Sequence, residues 1–423
     1  MPDNPRAFLT ALFHCAVAAA DPMNVVPKHL PPRPKGRLVV IGAGKASARM
    51  AEAVESHYGP CEGLVITRYG YGRPCAGIEI IDAAHPVPDT AGVKATRRML
   101  NLVRELTPDD TVLALISGGG SVLLNAPVEG LTLDEVIATN EALLASGAPI
   151  SEMNAIRKRL CNAKGGKLAA ACHPARVLSL IISDVPGDDP ALIASGPTVE
   201  EANDANPMEI VMRYAIDLPD SVLDVLKKSS TNLTPDDPRL TNVENKIIAA
   251  PSMSLDAATD MAAQAGCDVH MLGDALEGEA RELGAAQARQ ALEFQDMMSN
   301  GEAPMLLLSG GECTVTRKNK NWGNGTGGPN AEFVLSAAIA LNGAPGIHVI
   351  ACDTDGVDGA AEVAGAIAGP DTLMCAGVAG FSPKAALDAN DAHSFFAKID
   401  GQVITGPTMT NVNDFRALLI KPD

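Results

Sequence analysis

Apolar residues in this chain fall into short unbroken runs, each closed by glycine or a polar turn and followed by a longer amphipathic stretch. Unbroken runs of about five residues suit interior parallel strands, and stretches with a 3.6-residue period suit helices covering them. The pattern predicts a helix over 5–20 and an irregular Pro-, Lys- and Arg-rich linker over 27–36. A strand from Leu38 then runs into a turn at Gly42–Lys45, followed by a helix from Ala46 to about His57. Strands 64–67 and 78–81, helix 90–106 and strand 112–116 come next, then helices 133–145 and 151–171 and strand 177–182. Several Pro, Asp and Thr within 217–243 place a boundary near residue 240. Beyond it, strands 246–250, 268–272, 305–309 and 348–351 alternate with helices 254–265, 279–298 and 330–341. Such alternation predicts an α/β fold of two lobes, 1–240 and 241–423. Each lobe is expected to hold a mainly parallel sheet with helices on both faces, the two lobes enclosing one site.

The run Val112–Ile116 ends at Ser117-Gly-Gly-Gly-Ser121, and Met305–Leu308 ends at Ser309-Gly-Gly-Glu312. Parallel strands end this way at the carboxyl edge of a sheet, where ligands of open α/β folds sit. Glycine lets backbone N–H groups approach an anion, which makes Ser117, Gly118, Gly119, Gly120, Ser121, Gly311 and Glu312 candidate ligand contacts.

Composition narrows the classes. Aromatics are only 3% of 423 residues, so Ala, Val, Leu and Ile must fill the cores. A formal net charge of −18 argues against a nucleic-acid partner, which would need clustered Lys and Arg. The nine cysteines form no C-x-x-C pair, as expected of buried thiols in a reducing cytoplasm. Phe8–Ala20 is apolar but too short to span a bilayer, so neither a membrane span nor a signal peptide is expected.

Four constellations carry candidate chemistry. The turn Gly42-Ala-Gly44-Lys45 before a helix suits an anion, and an ammonium there suits a transferring phosphoryl group. It is a poor dinucleotide fingerprint, because Ser47 takes the third glycine's place and the next strand ends at Thr67-Arg68. Arg157, Lys164 and Lys167 lie in the most basic segment and would share a face if 151–171 were one helix. They read as an anion clamp. Asp184, Asp188 and Asp189, with Asp353, Asp355 and Asp358, follow apolar strands and are candidate metal carboxylates. The stretch 323–330, ending at Asn330, suits a lid or phosphate loop. His85, alone in a Pro-rich loop, is given a structural role.

In concert these segments resemble the glycerate 2-kinase family, whose C-terminal part is the MOFRL domain. The resemblance rests on Ile41–Lys45, Ala84–Asp89, Ser117–Ser121, Lys164–Lys167, Ser183–Asp188, Ser195–Thr198, Ser309–Glu312, Asp353–Gly359 and Thr405–Asp414. It implies transfer of the ATP γ-phosphoryl group to the C2 hydroxyl of D-glycerate, with Mg2+. The family's catalytic lysine maps onto Lys45. Asp184 is assigned to metal and is first candidate for general base, and Asp189 and the 353–358 carboxylates are further metal ligands. Arg157, Lys164, Ser195 and Arg317 are assigned to substrate. Gly42, Gly44, Asn330 and the glycine turns are assigned to ATP. Many members carry arginine where this chain has Pro329, and Arg317 or Arg157 is the expected replacement. Expected partners are small molecules, with self-association into a homo-oligomer allowed. An NAD(P)-dependent hydroxypyruvate reductase and a non-catalytic sugar-acid sensor are the competing readings.

Overall fold

The computed structural model describes residues 4–200, 205–228, 233–316 and 327–422. The chain divides into two compact units, Pro22–Ile248 and Met1–Asp21 with Ala249–Asp423. The division thus falls a few residues after the expected 240, and the first helix belongs with the C-terminal half.

In the unit Pro22–Ile248 the strands are β1 (Leu38–Ala43), β2 (Glu62–Arg68), β3 (Ile78–Ala83), β4 (Thr111–Ile116), β5 (Arg176–Ile182) and β6 (Val243–Ala249). They form one sheet in the order β3-β2-β1-β4-β5-β6, and β1 to β5 pair in parallel. Every residue of β1 and of β4 is buried, as their unbroken apolar sequences require. Chain order reverses between β1 and β4, the point at which doubly wound sheets leave a crevice for ligands. Ala43 pairs with Ile116, so the turns after the two strands emerge at the same level. The strand expected at 246–250 in the second lobe is β6, at the edge of this first sheet.

The single helix expected over 151–171 is two, Ile150–Arg159 and Lys167–Ala171. The first ends at Arg159 with Leu160 as its cap, and Gly165 and Gly166, with φ of 60° and 77°, form a left-handed turn that leads into the second. Lys167 Nζ donates to the carbonyls of Lys158 and Cys161 and so staples the break. The first of these helices packs with Pro207–Arg213 and Asp220–Lys227 in a satellite cluster that includes Leu143, Ile156, Ile210 and Val222.

The other unit holds β7 (Asp268–Gly273), β8 (Gly278–Glu279), β9 (Met305–Gly311), β10 (Cys313–Thr314), β11 (Ile347–Asp353), β12 (Gly365–Ala368), β13 (Gln402–Val403) and β14 (Asp414–Ile420). Its main sheet runs β13-β12-β11-β14-β9-β7, and β8 and β10 form a small parallel ladder. Only β7 and β9 pair in parallel there, so the expected mainly parallel sheet is corrected to a mainly antiparallel one. The cause is β14, the last strand, which inserts between β9 and β11 antiparallel to both. Helix Pro5–Ala19 is capped by Asn4 and buries Phe8, Leu9, Leu12 and Phe13 in a cluster with Leu255, Ala258 and Phe415. No single helix among the described residues is long and apolar enough to cross a membrane.

Candidate active site

The two turns at the β1/β4 crevice are built as one object. Lys45 N donates to Gly118 O at 2.9 Å, Ala46 N donates to Ser117 Oγ at 3.0 Å, and Ser47 Oγ donates to Leu115 O at 2.9 Å. Glycine is required for this closeness. A Cβ on Gly42 would stand 2.3 Å from Leu115 O, and one on Gly44 would stand 2.1 Å from Ser117 Oγ. Ser117 is fully buried and joins the two turns through its hydroxyl. Gly42, Gly44 and Ser117 therefore have a packing role that by itself accounts for these residue types. Gly118 and Gly119 differ, since among the described residues neither N–H is used in a backbone hydrogen bond.

Three side chains gather at those two glycines. A Cβ on Gly118 would lie 1.8 Å from Asp184 Oδ2, so the Asp184 carboxylate occupies the space that glycine leaves. A Cβ on Gly119 would lie 3.2 Å from His85 Nε2 and 3.3 Å from Lys45 Cγ. Lys45 and Asp184, predicted from sequence, thus meet at one turn. His85 joins them although sequence reasoning gave it a structural role. The available signal was its place just beyond β3, at the same edge of a parallel sheet. Its loop is anchored by Asp89, which accepts from Gly92 N and from the Tyr69 hydroxyl.

Beside this turn lies a cavity of about 190 Å3, lined among others by Pro86, Ser121, Asn125, Asn140, Arg157 and Lys164. Lys164 lies in the break after helix Ile150–Arg159, and Arg157 lies in that helix's last turn. They reach one pocket because the helix ends at Arg159 and the chain turns before Lys164, not because they share a helix face. Arg157 Nε donates to Asn140 Oδ1 at 2.9 Å, and no carboxylate pairs with it among the described residues. Burial pushes the Lys164 ammonium below the ordinary lysine value, and the neighbouring Arg157 charge adds to the shift. Burial likewise lowers Arg157. The buried Lys164 and the half-buried Arg157, with no carboxylate partner among the described residues, make a pocket that favours an anion. Ser121 and the fully buried Ser195 share a hydrogen bond between their hydroxyls at its edge. Glu141, an exposed residue, is the one carboxylate in the lining.

The candidate metal carboxylates divide. Asp189 Oδ1 accepts from Ala191 N. Asp358 is fully buried and caps helix Pro329–Leu341, accepting from Asn330 N and Ala331 N, with His393 Nε2 at 2.9 Å. Asp353 Oδ1 and Asp355 Oδ1 each accept from a backbone N–H two residues on, which holds their loop. Asn330, expected at ATP, is buried and donates to Asp358 and Asp414. A Cβ on Gly311 would lie 2.4 Å from Leu276 backbone atoms, which explains that glycine by packing, and Glu312 is exposed. Arg317 and residues 323–326 of the glycine-rich loop lie outside the described residues. No three His, Cys, Asp or Glu side chains among the described residues converge as a metal-binding group. Magnesium commonly needs only one or two carboxylates beside substrate phosphates, and Asp184 in the space beside Gly118 fits that demand.

Two family models match the chain. A domain of unknown function, DUF4147, matches residues 8–227, and the MOFRL family matches residues 305–414. A protein of Agrobacterium vitis with a provisional hydroxypyruvate reductase name is 50% identical, covering 98% of this chain and 94% of its own. The D-glycerate 2-kinase of Thermotoga maritima is 37% identical, covering 98% of each chain. A solved glycerate kinase structure from Thermotoga maritima superimposes with a TM-score of 0.89 at 36% identity, covering 99% of this chain and 100% of that one.

Proposed function

Because the chain belongs to the glycerate kinase family that carries a MOFRL domain, we propose that it transfers the ATP γ-phosphoryl group to the C2 hydroxyl of D-glycerate, giving 2-phosphoglycerate and ADP. The observation that carries the reading is the meeting of Lys45, His85 and Asp184 at Gly118–Gly119, beside the Arg157–Lys164 pocket. Phosphoryl transfer asks mainly for positioning and charge neutralisation, and these residues supply both. The glycerate carboxylate sits between Arg157 and Lys164, which turns the acid's hydroxyl toward the glycine turn. The free N–H groups of Gly118 and Gly119 receive phosphate oxygens, and the Lys45 ammonium takes up charge on the transferring group. Asp184 would hold magnesium, which neutralises phosphate charge when bound. His85 Nε2 accepts the hydroxyl proton as the new O–P bond forms. A reductase fits less well. Ser47 stands where a dinucleotide turn needs its third glycine, and its hydroxyl is committed to Leu115 O.

Lys45→Ala tests the assignment. Loss of one preorganised electrostatic partner costs roughly 3–4 kcal/mol, or ~10²–10³ in rate. The expected result is a kcat lowered by that factor, with a smaller change in KM for glycerate and an unchanged circular dichroism spectrum. A folded variant keeping more than about a third of wild-type kcat, a barrier change under ~1 kcal/mol, would remove Lys45 from the chemistry.

A further inference from the structure

The acid pocket contains one polar group that the reading above leaves unused. Asn125 lines it, is 2% exposed, and has a buried side-chain oxygen that accepts no hydrogen bond among the described residues. Its place in the fold is set through its backbone, since Asn125 N is 3.1 Å from Thr96 Oγ1, itself a donor to Gly92 O. The side chain is therefore not needed to hold the segment. A buried amide oxygen without a donor costs roughly 1–3 kcal/mol, so apolar side chains are expected where nothing fills the need. Apart from the exposed Glu141, the other polar groups of the pocket have assigned uses. Arg157 and Lys164 bring positive charge, Asn140 orients Arg157, and Ser121 is bonded to Ser195. A carboxylate cannot donate to Asn125, but a hydroxyl can, and a turned amide could equally donate to it. A cavity of about 190 Å3 has room for roughly six waters, the scale of a small hydroxy acid.

We propose that Asn125 is a specificity-determining residue that hydrogen-bonds the C3 hydroxyl of the bound acid. This rests on the reading of the pocket as the acid site and deepens it. The carboxylate on Arg157 and Lys164, the C2 hydroxyl toward the glycine turn and the C3 hydroxyl on Asn125 give three attachment points. Three points fix a three-carbon acid and its handedness. A site built to bond a hydroxyl rejects the analogue lacking it, because a buried polar group is then left unpaired.

The test compares D-glycerate with D-lactate, which differs only in lacking the C3 hydroxyl. Dissociation constants for both acids are measured by calorimetry on the wild-type protein and on Asn125→Leu, with Asn125→Ala as the second variant should leucine not fold. The wild-type protein should bind glycerate roughly ten- to a hundred-fold more tightly than lactate. Asn125→Leu should remove that preference, mainly by weakening glycerate, while its melting temperature stays level or rises. A residue serving the fold alone would give the opposite result, a lower melting temperature with the preference kept. That outcome, or a wild-type protein that binds both acids equally, overturns the proposal. Binding of neither acid would overturn the pocket assignment itself, and is told apart because in the other cases acid is bound.

Discussion

Lys164 shows how one buried charge links the site to pH. Burial lowers its ammonium below the ordinary lysine value of 10.5. A lysine whose folded pKa is depressed binds its proton less well folded than unfolded, so its desolvation costs stability near neutrality. That cost is relieved as pH rises between the folded value and 10.5. An anion in the pocket acts in the opposite direction, because it favours the charged form. Affinity for glycerate should therefore fall as pH rises through the depressed Lys164 value, earlier than an ordinary lysine would allow. Lys164→Arg keeps the charge over that range and should flatten the profile. A binding constant independent of pH at every value below the ordinary 10.5 in the wild-type protein would mean that Lys164 does not hold the acid. The same residue marks a limit of sequence reasoning. Lys164 was legible as a cation, but its reach into the pocket depends on the end of helix Ile150–Arg159 before it, which helical spacing concealed.

Elements divide into those that present ligand groups and those that hold the scaffold, and Asp358 belongs to the second kind. Its two oxygens accept from the first N–H groups of helix Pro329–Leu341, where helix ends leave donors unsatisfied. Asp358→Ala should cost about 2 kcal/mol, read as a lower urea midpoint, since Asn330 and His393 lose a buried partner as well. Unchanged stability would return Asp358 to the pool of ligand candidates. Sequence placed it in an acid loop after an apolar strand, which was correct. The loop's approach to a helix start well upstream is a tertiary fact that local composition does not encode. The strands whose apolar runs are unbroken, β1 and β4, were legible to within two residues. β14 was not assigned, because it starts at Asp414 and carries the buried Arg416 within its run. That arginine bonds Asp414 and the Gly310 carbonyl, so an apparently polar segment fills the centre of a sheet. His85 was missed for a related reason, since a lone histidine gains meaning only from the strand order that brings its loop to the same sheet edge as Lys45.

For the molecule as a whole, the charge of −18 sets the site apart. An acidic surface repels small anions, and a buried basic pocket restores their binding locally, where solvent screening is weak. The family and the α/β architecture are carried by the full length of the chain, whereas the proposed chemistry is assigned to Lys45, His85, Gly118, Gly119, Arg157, Lys164 and Asp184. The activity proposed for this pocket and turn is phosphoryl transfer to a hydroxy acid. One measurement bears on it most directly: purified protein with D-glycerate and ATP-magnesium, following ADP release, alongside a parallel incubation with hydroxypyruvate and NADH or NADPH. The prediction is ADP release dependent on glycerate, abolished by EDTA and restored by Mg2+, with phosphorus NMR placing the new ester on C2. Nicotinamide oxidation with hydroxypyruvate in the absence of any glycerate-dependent ADP would contradict it.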